Sequence, residues 1–323
     1  MPALRPGSPI VSLEHWENYY RGGALVSCPL APGSGYTQEL REIWVEFFAA
    51  LPGNARILDV GTGNGAVALI ALETAAAAGR QFEIHATDLA QIDPVRDVRD
   101  GARLFAGIHF HAAVATEQLP FETTTFDAIS GQYALEYTDT GRALREIHRV
   151  LKSGGNAQFV LHHADSIVAH KARQSLEQST LVLQRTNILR KLRRHLETER
   201  HSPTAARKTS ADLAAALGTL EQAAGQSDNP LILNVTIDAV RKLFAARQHM
   251  SPAALDLESH RFEGDVRASV RRLQDLIRCG QTEAGLQTIA GLAQSQGFEV
   301  QKMALQHHGG DTLVGWLLRL RRN

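Results

Sequence analysis

Three glycines at alternate positions, Gly61, Gly63 and Gly65, follow the apolar run Ile57-Leu58-Asp59-Val60 and lead into an alanine-rich stretch. Glycines so placed let the chain turn sharply and bring its backbone against a ligand with no side chain in the way, although a tight turn alone would also use them. Asp59 stands two residues before the first glycine, where its carboxylate would repel a diphosphate and suits a cationic group. The spacing GxGxG also differs from the GxGxxG of dinucleotide-binding turns, which reserve a helix N-terminus for pyrophosphate. A second acid, Asp88, closes the apolar run that starts at Phe82, a place where Asp often caps the next helix. Farther on, Gln132, Tyr133, Glu136 and Tyr137 follow one apolar run, and His162-His163 follow another. A histidine there could take a proton from a phenol or enol at neutral pH, or simply bond to loops as a strand-end residue.

Elements that would position these residues can be read from the alternation of strand-like apolar runs with amphipathic or alanine-rich stretches, the pattern of a parallel sheet covered on both faces. Strands are expected near 56–60, 83–88, 107–112, 126–131 and 156–162, and helices near 65–78, 92–104 and 139–151. Gln132, Tyr133, Glu136 and Tyr137 then lie after the fourth strand and His162 and His163 after the fifth, at the carboxyl ends where open α/β sheets bind ligands. Upstream, Leu40, Ile43, Val45, Phe47, Phe48 and Leu51 give a helical spacing over Gln38–Leu51, stopped by Pro52-Gly53. With the aromatic segment His15–Arg21, this makes residues 1–55 an N-terminal helical cap.

After His163 the texture changes to long Leu-, Ala-, Gln- and Arg-rich stretches, which predict a helical insertion over 164–296. Val182, Leu189, Leu192 and Leu196 are expected on one helical stripe, and 200–210 and 225–230 as loops. Strand signals return at Phe298–Leu305 and Thr312–Leu320, which can pair as a closing hairpin. The fold expected is an α/β, doubly wound, mostly parallel seven-stranded sheet of residues 56–163 and 297–323, with an antiparallel C-terminal hairpin and a large helical insertion. A long insertion after the fifth strand suits a lid, a substrate-recognition element or a dimerisation element, which leaves a homodimer open.

Composition narrows the classes further. The chain has 323 residues, 44% hydrophobic and 21% charged, with a formal net charge of zero, so it offers no global attraction to nucleic acid or anionic lipid. No apolar run reaches the length of a membrane span, and the first residues lack the apolar core of a signal peptide, so a cytoplasmic location is expected. Cys28 and Cys279 give neither a disulfide framework nor a zinc spacing, and no metal ligand set is expected.

The segment Ile57–Gly65 resembles motif I of class I, Rossmann-like S-adenosylmethionine-dependent methyltransferases. In that family the acid ending the second strand, matched by Asp88, accepts hydrogen bonds from both ribose hydroxyls of the cofactor. Ala115-Thr116-Glu117-Gln118-Leu119-Pro120-Phe121 with Phe126-Asp127 is similar to the family's DAExLPF…FD stretch, except that Ala115 replaces the acid that contacts the adenine amino group. Thr116, Glu117 or main-chain groups would take over that contact. Arg145-Glu146-Ile147-His148-Arg149-Val150-Leu151-Lys152-Ser153-Gly154-Gly155 is similar to the REhxRVLKPGG turn of the ubiquinone and menaquinone biosynthetic type, with Ser153 for the proline. The resemblance implies S-adenosyl-L-methionine as cofactor, S-adenosyl-L-homocysteine as product, and Asp59, Gly61, Thr62, Gly63, Gly65, Asp88, Leu89, Thr116, Glu117, Gln132 and Tyr20 as cofactor contacts. Tyr20, with Trp16 and Tyr19, would either flap over the sulfonium or pack as core.

Three readings follow. The first is methyl transfer to a small, apolar or aromatic acceptor at O, N or C, with His162, His163 and Tyr133 as candidate catalytic residues. The second, an RNA or other nucleic-acid methyltransferase, is disfavoured by the neutral charge and by Ser130-Gly131-Gln132-Tyr133 in place of an Asn/Asp-Pro-Pro-Tyr/Phe loop. Its remaining support is the basic run Arg190–Arg194, a feature usual on a solvated helix face. The third is a non-catalytic S-adenosylmethionine-binding protein of the same fold.

Overall fold

The computed structural model describes residues 13–26 and 38–323; Cys28 and the start of the chain lie outside them. In chain order the elements are α1 (Glu14–Arg21), α2 (Gln38–Ala49), β1 (Arg56–Val60), α3 (Ala66–Ala77), β2 (Glu83–Thr87), α4 (Pro94–Asp97), α5 (Gly101–Leu104), β3 (Ile108–His111), β4 (Phe126–Gln132) and a 3-10 turn (Leu135–Tyr137). They continue with α6 (Thr140–Val150), β5 (Leu151–Leu161), α7 (Ile167–Thr180), a π turn (Leu181–Arg185), α8 (Ile188–His201), α9 (Pro203–Gly225), α10 (Leu231–Ala246), α11 (Pro252–Cys279), α12 (Glu283–Ser295), β6 (Phe298–His308) and β7 (Thr312–Arg322).

The seven strands form one sheet in the order β3-β2-β1-β4-β5-β7-β6. β1 to β5 are parallel, and β7 runs antiparallel to both β5 and β6. Because strands are buried on both faces in such a sheet, their residues read as continuous apolar runs and alternate between two cores. Ile57, Ile84, Ala86, Ala128 and Val160 pack against Trp44 and Phe48 of α2 and Val67 and Ala71 of α3. Leu58, Val60, Ile129, Phe159 and Leu161 face the other way, against Leu144 and Ile147 of α6 and Leu286 and Ile289 of α12.

Two compact units divide the chain: residues up to Ala169 together with Arg278–Asn323, and His170–Ile277. α12 thus folds with the sheet, although it falls inside the stretch read as insertion, because Leu286, Ile289 and Ala293 complete the second core. The other unit is helical. Its core joins Val182, Leu192 and Leu196 to Leu213, Leu220, Leu233, Ile237, Val240 and Leu255.

Three local expectations are corrected. The stretch 92–104 is two short helices rather than one, since Asp100 takes φ +59° and a Cβ at Gly101 would collide with the Pro94 carbonyl. The loop expected at 200–210 is the start of α9: Pro203 occupies the first turn, where its missing N–H costs nothing, and Ser202 caps the helix by accepting the Ala205 N–H. Val182 and the stripe Leu189, Leu192 and Leu196 share a core but not a helix, because Asn187 at φ +49° separates the π turn from α8.

Candidate active site

The turn after β1 uses its glycines as the spacing predicts. Gly61, Gly63 and Gly65 have φ of +61°, +54° and +83°, which only glycine adopts freely. A Cβ on Gly63 would lie 2.7 Å from the Tyr20 ring, and one on Gly65 would lie 2.8 Å from Phe110, so the turn is closely overlaid by aromatic side chains. The Thr62 N–H donates to the Thr87 carbonyl at 3.0 Å, tying the turn to the end of β2.

Asp88 is buried, and its two oxygens accept the Gly63 N–H at 2.8 Å and the Ala90 N–H at 2.9 Å. A carboxylate has about four acceptor positions, so both oxygens keep capacity for further donors. Burial raises the Asp88 carboxyl above its ordinary range, and the Ala90 and Gly63 bonds pull it back. Asp59 is buried more deeply, accepting the Thr62 hydroxyl at 2.6 Å and the Ser130 hydroxyl at 2.7 Å. Burial pushes its carboxyl up to about 6, against the lowering effect of the two hydroxyls.

Asn64, assigned no role in the sequence reading, fixes the layer above the turn. Its Nδ2 donates to the carbonyls of Tyr20 at 2.9 Å and Ala24 at 2.8 Å, while its Oδ1 is buried without a partner. The signal for it in the sequence is its place between Gly63 and Gly65. Replacing Asn64 by Ala should destabilise the α1 segment by about 1–3 kcal/mol, the cost of losing its two hydrogen bonds to the Tyr20 and Ala24 carbonyls. Trypsin cleavage after Arg21 should accelerate, and an unchanged rate would show that Asn64 does not hold α1 down.

At the end of β4, the Gln132 Oε1 accepts the Trp44 indole N–H at 2.5 Å, and its Nε2 is buried without a partner. Tyr133, at φ +55°, donates its hydroxyl to the Val314 carbonyl at 3.1 Å and stacks on the His162 ring with centroids 4.0 Å apart. Glu136 Oε1 accepts the backbone N–H of His162 at 2.7 Å and lies 2.8 Å from its Nδ1. The rings of α1 continue the cluster: Tyr20 stacks on Trp16 at 6.0 Å, Trp16 meets Tyr137 edge-on at 5.9 Å, and Tyr137 meets His162 at 5.8 Å.

Not all the expected residues join this cluster. His163 packs on Trp316 at 4.7 Å and accepts the Asp165 N–H on Nδ1, and burial lowers its imidazole below the ordinary value. Glu117 accepts the Asp139 N–H at 2.8 Å, drawn to the start of α6. Thr116 is buried beside it, and Leu89 next to Asp88 is 38% exposed.

Residues 57–155 match a family model described as a methyltransferase domain. The match lies within the sheet unit, whose residues 57–155 carry a methyltransferase domain. The methyltransferase domain is similar to the ubiquinone/menaquinone biosynthesis C-methyltransferase UbiE of Geobacter sp. (strain M21), 36% identical over 110 residues that cover 32% of this chain and 44% of the relative. It is also similar to the uncharacterized methyltransferase YcgJ of Bacillus subtilis (strain 168), 31% identical over 116 residues that cover 34% of this chain and 41% of the relative. The solved structure of Bacillus subtilis YcgJ aligns at 15% identity with a TM-score of 0.34, covering 88% of this chain and 98% of that one. In sequence, the chain spans less than half the length of these curated relatives.

A methyltransferase domain implies S-adenosylmethionine as the cofactor. The residues present fit it on two counts. The turn at Gly61–Gly65 leaves main-chain groups bare of side chains beside a buried carboxylate with spare acceptor capacity, as ribose hydroxyls require. The Gln132 Nε2 and Asn64 Oδ1 are a buried donor and acceptor without protein partners, both near the ends of β1 and β4.

Proposed function

We propose that this chain transfers the methyl group of S-adenosylmethionine to a small, apolar or aromatic acceptor. When bound, S-adenosylmethionine supplies a methyl group already activated on a sulfonium, so the protein must mainly align the acceptor and keep water out. Asp88 would hold the ribose hydroxyls, the Gly61–Gly65 turn the amino-acid end, and Asp59 the cationic charge from beneath the turn. Gln132 would donate its Nε2 to the ligand. Tyr20 and Trp16 would cover the cofactor and shield it from water.

The observation that carries this reading is the unbroken series of contacts from Asp88 and Gly63 through Tyr20, Trp16 and Tyr137 to His162. It links the cofactor turn to the ends of β4 and β5 with apolar, aromatic surface, as a small planar acceptor would need. UbiE relatives act as C-methyltransferases in quinone biosynthesis by name, which makes a ring carbon of a quinol-like molecule one acceptor in this class.

Titration with S-adenosylhomocysteine in a calorimeter tests the cofactor half of the proposal. Asp88→Ala should weaken binding by about 1.5–3 kcal/mol, the loss expected for hydrogen bonds to a charged group, in a protein that still folds. Equal affinity in the folded variant would remove Asp88 from the site.

A further inference from the structure

Gln132 ends β4 with a side-chain amide whose two atoms are treated differently by the fold. Its Oε1 accepts the Trp44 indole N–H, while its Nε2 has no partner among the described residues, although the residue is only 6% exposed. An indole N–H can only donate, so the amide atom facing it must be the oxygen and the nitrogen must face away. Trp44 has little room to turn aside. It is wholly buried in α2, its ring stacked on Phe48 with centroids 6.0 Å apart and edge-on to Phe47 at 6.1 Å. A donor left buried and unbonded is costly, and a ligand atom that accepts would remove that cost.

The place of the amide in the sheet says which ligand atom that is. Asp59 of β1 lies opposite Ser130 of β4, and their side chains are bonded. Gln132 is two residues farther along β4 and so shares their face of the sheet, one step nearer the carboxyl end. The matching step along β1 is Gly61, where the turn begins and where a Cβ would collide with Ala134. The amide therefore stands level with the glycine turn on the β4 side of β1, whereas Asp88 stands on the β2 side. A cofactor whose ribose is held at Asp88 reaches across β1 with its amino-acid end. That end carries an ammonium, which only donates and suits the Asp59 carboxylate, and a carboxylate, which only accepts and suits the Gln132 N–H.

Resting on the methyl-transfer reading above, we propose that Trp44 is a positioning residue: it locks the Gln132 amide so that Nε2 binds the carboxylate of the cofactor's amino-acid end. The two side chains together make the site selective for a ligand that has this carboxylate. Without the indole N–H the amide can turn over and present its oxygen, an acceptor, to a group that also only accepts.

Two ligands isolate the carboxylate: S-adenosylhomocysteine and its decarboxylated form, S-adenosyl-3-thiopropylamine, which keeps the ammonium, the ribose and the adenine. In calorimetry the wild-type protein should bind the first at least about 30-fold more tightly. Equal affinities overturn the proposal, and this comparison needs no variant to fold. Gln132→Met, similar in length but without a donor, should bring the ratio to about threefold or less by weakening S-adenosylhomocysteine alone. Trp44→Phe keeps an aromatic ring in the core but has no N–H, and should lower the ratio by about threefold or more. A merely structural role of either side chain would weaken both ligands together, so an equal loss for both ligands in either folded variant also overturns the proposal. Wild-type protein that binds neither ligand would instead bring down the cofactor reading on which the proposal rests.

Discussion

Gly63→Val should lose S-adenosylhomocysteine affinity by 100-fold or more, about 3 kcal/mol, the largest binding effect expected of any single change in the turn. Two costs combine. The backbone at φ +54° is left-handed, a conformation that costs an L-residue roughly 1–2 kcal/mol and a branched one more. The new Cβ would also stand 2.7 Å from the Tyr20 ring, which is stacked on Trp16 and held from behind by Asn64. Relief requires either the turn to unwind, which removes the Gly63 N–H from Asp88, or α1 to lift, which uncovers the cofactor. Both routes damage the same site. Calorimetry with S-adenosylhomocysteine, alongside a thermal melt showing that the sheet survives, checks the effect. Wild-type affinity in this variant would place the cofactor elsewhere.

Asp59→Asn should have opposite effects on stability and on binding. The folded carboxyl sits at about 6, above its ordinary 3.8, so ionising it opposes folding. Its contribution to stability is full below pH 3.8 and is lost as pH rises through about 6. The gap corresponds to about 3 kcal/mol on the neutral and alkaline side. Asparagine imitates the uncharged acid between Thr62 and Ser130, hydroxyls that can rotate to suit it. Relative to wild type, the variant's melting temperature should therefore be several degrees higher at pH 8 and nearly equal at pH 4. Cofactor affinity should move the other way, because the buried negative charge would no longer meet the cationic end of the ligand. A variant less stable than wild type at pH 8 would show that the hydroxyl bonds to the carboxylate outweigh the cost of burying it.

The strands were legible because both faces of this sheet are covered: each strand is a short apolar run closed by a turn residue, as Ile57–Val60 before Gly61 illustrates. The glycine turn and Asp88 were legible for a related reason, since backbone conformation and a buried acid at a strand end leave marks on residue type. What could not be read depends on partners distant in sequence. Glu136 and His162 are joined across two neighbouring strands, and nothing in either local segment specifies the shared oxygen. His162 and His163 look equivalent in one dimension and diverge only when Trp316 and Asp165 are in place. Pro203 misled because proline interrupts a helix and also begins one; Ser202 ahead of it was the deciding sign. α12 has the same amphipathic texture as the helices before it, so only its contacts with the second core assign it to the sheet unit.

The position of β7 between β5 and β6 bears on how the protein is made. Residues emerge from a ribosome in order, so β5 is complete while the strand that pairs with its open edge, through Phe159↔Leu318 and Leu161↔Trp316, has yet to be translated. Throughout synthesis of His170–Ile277 the nascent sheet presents that edge unpaired, with Trp316, Leu318 and Leu320 absent from the core they complete. The helical unit, rich in local contacts, can fold in the meantime, whereas the sheet must wait for its last pairing. Glu136 and His162 therefore come to lie beside the Tyr133–Val314 bond only when translation is nearly finished, so the ends of β4 and β5 are among the last parts of the fold to assemble.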